Sequence, residues 1–326
     1  MKAIKFDTER LHQQVQRLTP EALRLPAADI QYGDAVQQYF LFYGLDFERF
    51  MSGVGHHFGH FTSGKYEIVC HYFTVRQPRG TCFVLHGYFD HAGLFRHIIE
   101  YCLRRDYNVV IYDLPGHGLS TGARANINSF IDYQTALKDC LKLFVDVAPQ
   151  PWHCIAQSTG CAIIMDYLLL QEAPSFDKVV LLAPLVRAAE WNWVKAKHFV
   201  GQYFLETVER KFTKNSSDEA FLDFIEFDDP LQSKELPVAW VDALIRWARR
   251  FESLPESDRA VLILQGLRDT TVDWKFNISA IREKFPRAKY MPLRDAAHHL
   301  ANELPEIRAK VFAAMDLYFQ SANLSE

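Results

Sequence analysis

Short apolar segments that alternate with helical stretches constrain the fold of this chain more than any other feature. Almost every position in these segments is apolar, and they cover residues 81–85, 108–113, 152–157, 178–183, 260–265 and 288–293. A strand that is apolar at nearly every position is buried on both faces, as in a parallel sheet covered by helices on each side. The sequence therefore predicts an α/β fold with a mostly parallel, doubly wound sheet.

The alternation of strands and helices is interrupted between residues 185 and 257. This segment is rich in aromatic residues and has helical spacing throughout, so we interpret it as a helical cap inserted over the carboxyl edge of the sheet. The predicted core then comprises residues 51–184 and 258–326. Residues 1–50 form a predicted N-terminal helical extension.

Composition excludes several classes of protein. The 326 residues are 49% hydrophobic with a formal net charge of −4, and no basic block suggests nucleic-acid binding. No uncharged apolar run approaches the roughly 20 residues of a membrane span, and the first residues lack a signal-peptide pattern. The six cysteines form no CxxC pair, which favours reduced, buried thiols. The predicted location is the cytoplasm, either free or at the inner face of the membrane.

Ser158 lies where a predicted strand gives way to a predicted helix, with Ala156 and Gly160 two residues to either side. Small residues around a serine on a sharp strand-to-helix turn are typical of a nucleophile elbow, although the first position usually carries glycine. The turn would place Oγ at a helix N-terminus, where N–H groups favour a developing anion. A serine that simply caps the helix would give the same local pattern.

A serine nucleophile needs a base and an acid that orients the base. In doubly wound sheets such residues follow the carboxyl ends of strands. Asp269 follows one late strand, while Asp273, one turn further on, is better suited to capping the next helix. His298 and His299 both follow the last strand, and their spacing alone leaves two candidates for the base.

The tetrahedral intermediate of acyl transfer needs preorganised N–H donors. We expect one donor at the backbone of Thr159, directly after the serine. The other is predicted at Tyr88, in the loop after an early strand, where Gly87 permits a tight turn. His86 is expected to hold this loop in place.

Five ordered motifs together resemble one branch of a known superfamily. They are His86-Gly87-Tyr88, Asp113-Leu114-Pro115-Gly116-His117-Gly118-Leu119-Ser120, the elbow at Ser158, Gly266 to Asp269, and His298-His299-Leu300-Ala301-Asn302-Glu303. This set is similar to the lysophospholipase and monoacylglycerol lipase branch of the α/β-hydrolases. The resemblance implies a Ser158–His298–Asp269 triad, because the first histidine of the last motif is the catalytic one. The N-terminal 50 residues have no counterpart in it.

The aromatic residues of the cap are the clue to substrate. Most would pack the cap onto the sheet, but some could line an apolar tunnel for an acyl chain or touch a membrane surface. The predicted substrate-binding residues are Trp191, Trp193, Tyr203 and Trp240.

The sequence thus predicts a serine hydrolase that cleaves carboxylic esters of monoacyl lipids, either lysophospholipids or monoacylglycerols. Its predicted partner is this small-molecule substrate, with a transient membrane contact through the cap, and no cofactor or metal is expected. His56, His57 and His60 have no carboxylate or cysteine at ligand spacing. The alternatives are a proline-type aminopeptidase or amidase, a hydrolase of small esters or thioesters, and a catalytically silent binding protein.

Overall fold

The computed structural model describes residues 6–24, 31–170, 173–201 and 205–321. An eight-stranded sheet forms its centre. Its strands are β1 (Gly55–Ser63), β2 (Tyr66–Thr74), β3 (Thr81–Leu85), β4 (Asn108–Tyr112), β5 (Trp152–Gln157), β6 (Lys178–Leu182), β9 (Leu262–Gly266) and β10 (Lys289–Leu293), while β7 (Thr207–Glu209) and β8 (Glu235–Pro237) form a separate pair. The spatial order of the eight strands is β1-β2-β4-β3-β5-β6-β9-β10. The pairs β1–β2 and β2–β4 are antiparallel and all others are parallel, so the predicted mostly parallel sheet is confirmed.

Helices cover both faces of the sheet. They are α1 (Thr8–Val15), α2 (Asp34–Tyr43), α3 (Arg96–Leu103), α4 (Phe130–Phe144), α5 (Thr159–Leu169), α6 (Trp191–Gly201), α7 (Glu219–Asp223), α8 (Val238–Ser253), α9 (Trp274–Lys284) and α10 (Pro305–Gln320). Helices α4, α5, α8 and α9 pack on one face, while α2, α3 and α10 pack on the other. No helix in the described ranges is long and apolar enough to cross a lipid bilayer.

The N-terminal helices pack against the antiparallel edge of the sheet. Tyr39 of α2 is fully buried and stacks on Phe58 of β1, with ring centroids 5.9 Å apart. Phe40 packs edge-on against the same ring at 5.2 Å. This segment therefore shares a hydrophobic core with the sheet.

The segment between β6 and β9 is not helical throughout, which corrects the sequence-based expectation. Besides α6, α7, α8 and a π-helical turn at Phe224–Asp228, it contains an antiparallel pair, β7 (Thr207–Glu209) and β8 (Glu235–Pro237). The β-branched residues Thr207 and Val208 favour extended backbone. Pro237 lacks an N–H and ends β8, so α8 starts directly after it.

Candidate active site

Ser158 lies on a strained turn between β5 and α5. Its φ of +52° is in the region that non-glycine residues seldom adopt. The turn is held by a backbone hydrogen bond of 2.9 Å from Ser158 N–H to the Leu182 carbonyl. The Ser158 side chain does not cap α5, so the simple capping interpretation does not describe its hydroxyl. Its Oγ is directed instead toward His298.

The small neighbours of Ser158 have different constraints. A Cβ added to Gly160 would lie 2.3 Å from the backbone oxygen of Leu85, so only glycine fits there. Ala156 is fully buried in β5 and pairs with Leu85 and Leu181 on the neighbouring strands. The sheet therefore accommodates alanine where the elbow pattern usually has glycine.

The structure brings Ser158, His298 and Asp269 into one hydrogen-bonded chain. His298 Nε2 lies 3.0 Å from Ser158 Oγ, and His298 Nδ1 lies 2.7 Å from Asp269 Oδ2. All three residues are buried, at 7%, 5% and 6% exposure, so bulk water competes little for these contacts. The arrangement has the geometry of a nucleophile, a base and an orienting acid.

Asp269 is fixed by further donors. Its Oδ1 accepts the N–H groups of Thr271 and Val272 at 2.8 and 3.2 Å, and its Oδ2 accepts Gln265 Nε2 at 2.9 Å. Asp273, the competing acid, caps α9 by accepting Phe276 N–H at 3.3 Å. The two aspartates therefore have separate structural tasks.

Burial and charge act in opposite directions on this pair. Burial disfavours the ionised forms, but the adjacent Asp269 carboxylate and its hydrogen bond outweigh burial and raise the pKa of His298. Burial likewise opposes ionisation of Asp269, yet His298 and the surrounding donors lower the pKa of this carboxyl. The geometry therefore favours a carboxylate that stabilises a protonated imidazole.

The loop after β3 lies against the elbow. A Cβ added to Gly87 would lie 2.7 Å from Asp90 Oδ2 and 3.3 Å from Ser158 Cβ, so glycine permits this close approach. His86 ties the loop through its Nδ1, 2.8 Å from the Gly87 carbonyl, and its Nε2, which accepts Leu114 N–H at 2.9 Å.

Both residues predicted to supply the oxyanion donors line the cavity that contains Ser158. Tyr88 and Thr159 line the same cavity as Ser158 and His298. Thr159 is the first residue of α5, so its N–H has no acceptor within the helix. In the part of the chain that the structure describes, the Tyr88 N–H donates to no protein acceptor. The backbone N–H groups of both residues are thus without a described protein acceptor, and their role as oxyanion donors stays a prediction.

His299 takes a different direction from His298. Its Nε2 lies 3.1 Å from Asp90 Oδ1, and Asp90 Oδ2 accepts Gly87 N–H at 3.2 Å. Sequence reasoning did not identify Asp90. Its position three residues after Gly87, within the loop predicted to supply an oxyanion donor, could have identified it.

The His298 loop is also braced by groups that the sequence did not single out. Gln157 Nε2 donates to the His298 carbonyl at 2.9 Å. The Asn215 carbonyl, in the cap, accepts the N–H groups of His298 and His299 at 3.0 and 2.7 Å. Glu303 accepts Ala297 N–H at 2.5 Å, which explains the acid that ends the last motif.

The catalytic cavity, of about 260 Å³, adjoins a larger apolar groove of about 920 Å³ in the cap. Trp240 lines the cavity and stacks on Tyr88, with centroids 3.5 Å apart. Trp193 is 67% exposed and lines the groove. Trp191 is buried in the core and lines neither space, whereas Tyr203 lies outside the described residues.

The histidine-rich β1 strand contributes to packing. His56 Nε2 lies 3.0 Å from His71 Nδ1, and His60 Nδ1 lies 2.9 Å from Glu67. Within the described ranges, no group of three or more histidine, cysteine or carboxylate side chains is arranged to hold a metal ion.

Comparison with known proteins adds a family to this geometry. The family model described as serine aminopeptidase, S33, matches residues 76–305. The chain belongs to this family. The predicted hydrolase class is thereby confirmed, and residues 1–75 precede the matched region.

Individual relatives confirm the resemblance to the monoacylglycerol lipase branch. Human monoglyceride lipase is 26% identical over 266 residues, which cover 78% of this chain and 87% of that protein. Phospholipase YtpA of Bacillus subtilis is 28% identical over 111 residues, covering 33% and 41% of the two chains.

Solved structures show the same fold. The monoacylglycerol lipase of Paleococcus ferrophilus superposes with a TM-score of 0.66 at 19% identity, covering 76% of this chain and 96% of its own. A soluble variant of Saccharomyces cerevisiae monoglyceride lipase, in complex with a substrate analog, gives 0.69 at 14% identity, with 80% and 94% coverage. These similarities confirm the α/β-hydrolase fold.

Proposed function

We propose that this protein is a serine hydrolase that cleaves the carboxylic ester of monoacyl lipids, either monoacylglycerols or lysophospholipids. The observation that carries the proposal is the hydrogen-bonded chain from Ser158 through His298 to Asp269, at the wall of a cavity that adjoins an apolar groove. Similarity to monoglyceride lipases and to a phospholipase supports the same substrate class.

The proposed reaction proceeds through an acyl-enzyme. Ser158 Oγ attacks the ester carbonyl carbon while its proton passes to His298 Nε2. The N–H groups of Tyr88 and Thr159 stabilise the negative oxygen, which is worth about 2.7–4 kcal/mol for each donor. The intermediate then expels the alcohol, which takes the proton from Nε2. Water attacks the acyl-enzyme with His298 as base, releasing the fatty acid and restoring Ser158.

The groove is suited to the acyl chain. Its apolar lining includes Trp193, Val208, Leu236 and Val241. Each buried methylene contributes roughly 0.8 kcal/mol, equivalent to about a fourfold gain in binding. We therefore expect kcat/KM to rise with acyl-chain length until the groove is filled.

A transient contact between the cap and a membrane surface belongs to the same proposal. Trp193 and Phe199 on α6 are each 67% exposed, and Leu205, just before β7, is 50% exposed. Large apolar side chains that are this exposed are typical of surfaces that bind partners or lipid. Trp193 and Leu205 also line the groove, so lipid could enter it without crossing water.

Substitution of Ser158 tests the nucleophile. We expect Ser158→Ala to lower ester hydrolysis by about 10⁴-fold or more and to abolish labelling by a fluorophosphonate probe. The matched control is Ser253→Ala, at an exposed serine at the end of α8, which should retain both. Persistent labelling of a folded Ser158→Ala protein would exclude this mechanism.

The aminopeptidase alternative is less well supported by the site. An enzyme that holds a free amine needs a carboxylate facing it. Among the described residues that line the catalytic cavity, Asp90 is the single acid, and it already contacts His299 and Gly87. Faster turnover of aminoacyl-naphthylamides than of monoacyl lipids would reverse this choice.

A further inference from the structure

Arg210 occupies the junction between the catalytic cavity and the apolar groove. It follows β7 directly, and its N–H donates to the Lys234 carbonyl at 2.9 Å, which extends the β7–β8 pair by one residue. The side chain lines both spaces, together with Phe89, Lys211 and Leu236. A cation is therefore built into the wall of the same cavity as Ser158.

The guanidinium of Arg210 is held by uncharged groups. It lies between the rings of Phe89 and Phe212, with its central carbon 4.0 and 4.2 Å from the two centroids. Its Nη1 donates to Gln232 Oε1 at 2.6 Å and to the Ser233 carbonyl at 3.1 Å. These contacts orient the group and leave Nε and Nη2 without an acceptor in the described ranges.

Asp90, Asp229 and Glu226 are the acids whose charges act on Arg210. Glu226 is exposed to solvent, and the other two are engaged elsewhere. Asp90 contacts His299 and accepts Gly87 N–H, while Asp229 contacts His91 and Tyr43. No carboxylate of the described residues forms an ion pair with Arg210. A cation that is largely withdrawn from water without a counter-charge is costly, and two aromatic faces offset part of that cost.

We propose that Arg210 binds the phosphate of a lysophospholipid head group, so that the enzyme favours phosphate-bearing monoacyl lipids over neutral monoacylglycerols. The proposal rests on the proposed function, because the phosphate is presented while the ester carbonyl lies at Ser158. The planar guanidinium suits a phosphate, which can accept from Nε and Nη2 together. Lys211, exposed and at the edge of both spaces, adds attraction for the same anion.

Protonation does not limit this role. Burial lowers the pKa of Arg210 to about 10, so the side chain remains a cation at neutral pH. Lysine at this position would keep a charge but lose the fork of two parallel donors. The Arg210→Lys variant therefore separates the need for charge from the need for geometry.

The test compares two substrates with the same acyl chain, a lysophosphatidylglycerol and a monoacylglycerol. For the wild type we expect kcat/KM to be higher on the phosphate-bearing lipid. Arg210→Gln should lower the ratio of the two kcat/KM values about 10- to 100-fold, and Arg210→Lys should lower it less. If the substitution disturbs the loop that carries Phe89 and slows both substrates equally, the ratio of the two kcat/KM values does not change.

The matched control is Lys234→Met, which removes a cation from the same strand pair. Lys234 is exposed and lines neither space, so the ratio should not change. An unchanged ratio in a folded, active Arg210→Gln protein overturns the role of Arg210 but leaves the proposed function standing. Failure of the wild type to hydrolyse either lipid overturns the proposed function itself.

The fatty-acid product is also an anion, so Arg210 could bind its carboxylate instead of a phosphate. Inhibition measurements distinguish the two ligands. If Arg210→Gln weakens inhibition by free fatty acid while the ratio of the two kcat/KM values stays constant, then Arg210 binds the carboxylate of the product. That outcome refutes a phosphate subsite. Weakened inhibition by glycerol 3-phosphate, with fatty-acid inhibition unchanged, supports it.

Discussion

A buried three-residue contact joins the N-terminal extension, the cap and the loop after β3. Asp229, in the cap, accepts a hydrogen bond of 2.5 Å from Tyr43 on α2, and its other oxygen lies 2.9 Å from His91 Nε2. The side chains of Asp229 and His91 are fully buried. His91 Nδ1 accepts Gly93 N–H, so the contact also fixes the start of the turn that precedes α3.

The Tyr43→Phe substitution tests how much this contact stabilises the fold. It deletes one hydroxyl and leaves a buried carboxylate with one fewer donor. A hydrogen bond to a charged group contributes about 1.5–3 kcal/mol. Because Leu231 N–H, Gln232 and His91 still contact Asp229, its charge stays partly satisfied. We therefore expect a loss of about 2 kcal/mol in the free energy of unfolding.

Tyr101→Phe is the matched control. Tyr101 donates to Asp316 at 2.8 Å, but that carboxylate is 31% exposed and also contacts Arg105. Water and Arg105 can replace the lost donor, so this variant should lose less than about 1 kcal/mol. Urea unfolding followed by tryptophan fluorescence measures both variants. Equal losses, or a loss below about 0.5 kcal/mol for Tyr43→Phe, would refute the reasoning.

Two further predictions concern the elbow and acid stability. Gly160→Ala should lower the melting temperature and esterase activity together, since its Cβ meets a rigid backbone oxygen of Leu85; an active, equally stable variant would show that the strand can shift. Burial lowers the pKa of His71 to about 4, whereas a histidine in the unfolded chain has a pKa of about 6.5. The neutral form of His71 therefore stabilises the fold fully above pH 6.5, and this stabilisation is lost as the pH falls toward 4. Between pH 7.5 and 5 the wild type should lose about 2 kcal/mol more unfolding free energy than His71→Gln, and parallel losses would contradict this.

The sheet was predictable because its strands are buried on both faces. Residues 108–112 and 178–182 are apolar or packed at every position, and such segments have few other places in a folded chain. The positions of Ser158 and Asp269 followed from the same property, since they lie one and three residues after the ends of β5 and β9. Local sequence therefore predicts that helices cover both faces of the sheet. It also predicts that the polar residues collect at the carboxyl ends of the strands.

Local sequence could not separate the two adjacent histidines. Both are buried, at 5% and 2% exposure, and each contacts a carboxylate. The carboxylates come from opposite parts of the chain, Asp269 after β9 and Asp90 after β3. The motif match favoured His298, but the hydrogen bond between His298 and Ser158 forms only in the folded chain and could not be derived from the local sequence.

Contacts of the cap were the least predictable. The hydrogen bond between Tyr43 and Asp229 spans 186 residues, and the local sequence around either residue does not indicate it. The strand pair that carries Arg210 is three residues long on each side, too short for an alternating pattern. Both features depend on which distant segments of the chain meet in the fold. The spacing of apolar residues, at every second residue in a strand or about every 3.6 residues in a helix, does not indicate this.

The two histidines together couple the proposed base to the proposed oxyanion loop. His298 reaches Ser158, while His299 reaches Asp90, whose other oxygen holds Gly87 N–H. The Asn215 carbonyl accepts both histidine N–H groups, so one residue of the cap fixes the backbone from which the two side chains diverge. A shift of this part of the cap would move the base and loosen the loop at once. Substrate that packs against the cap can therefore influence both groups through a single short segment.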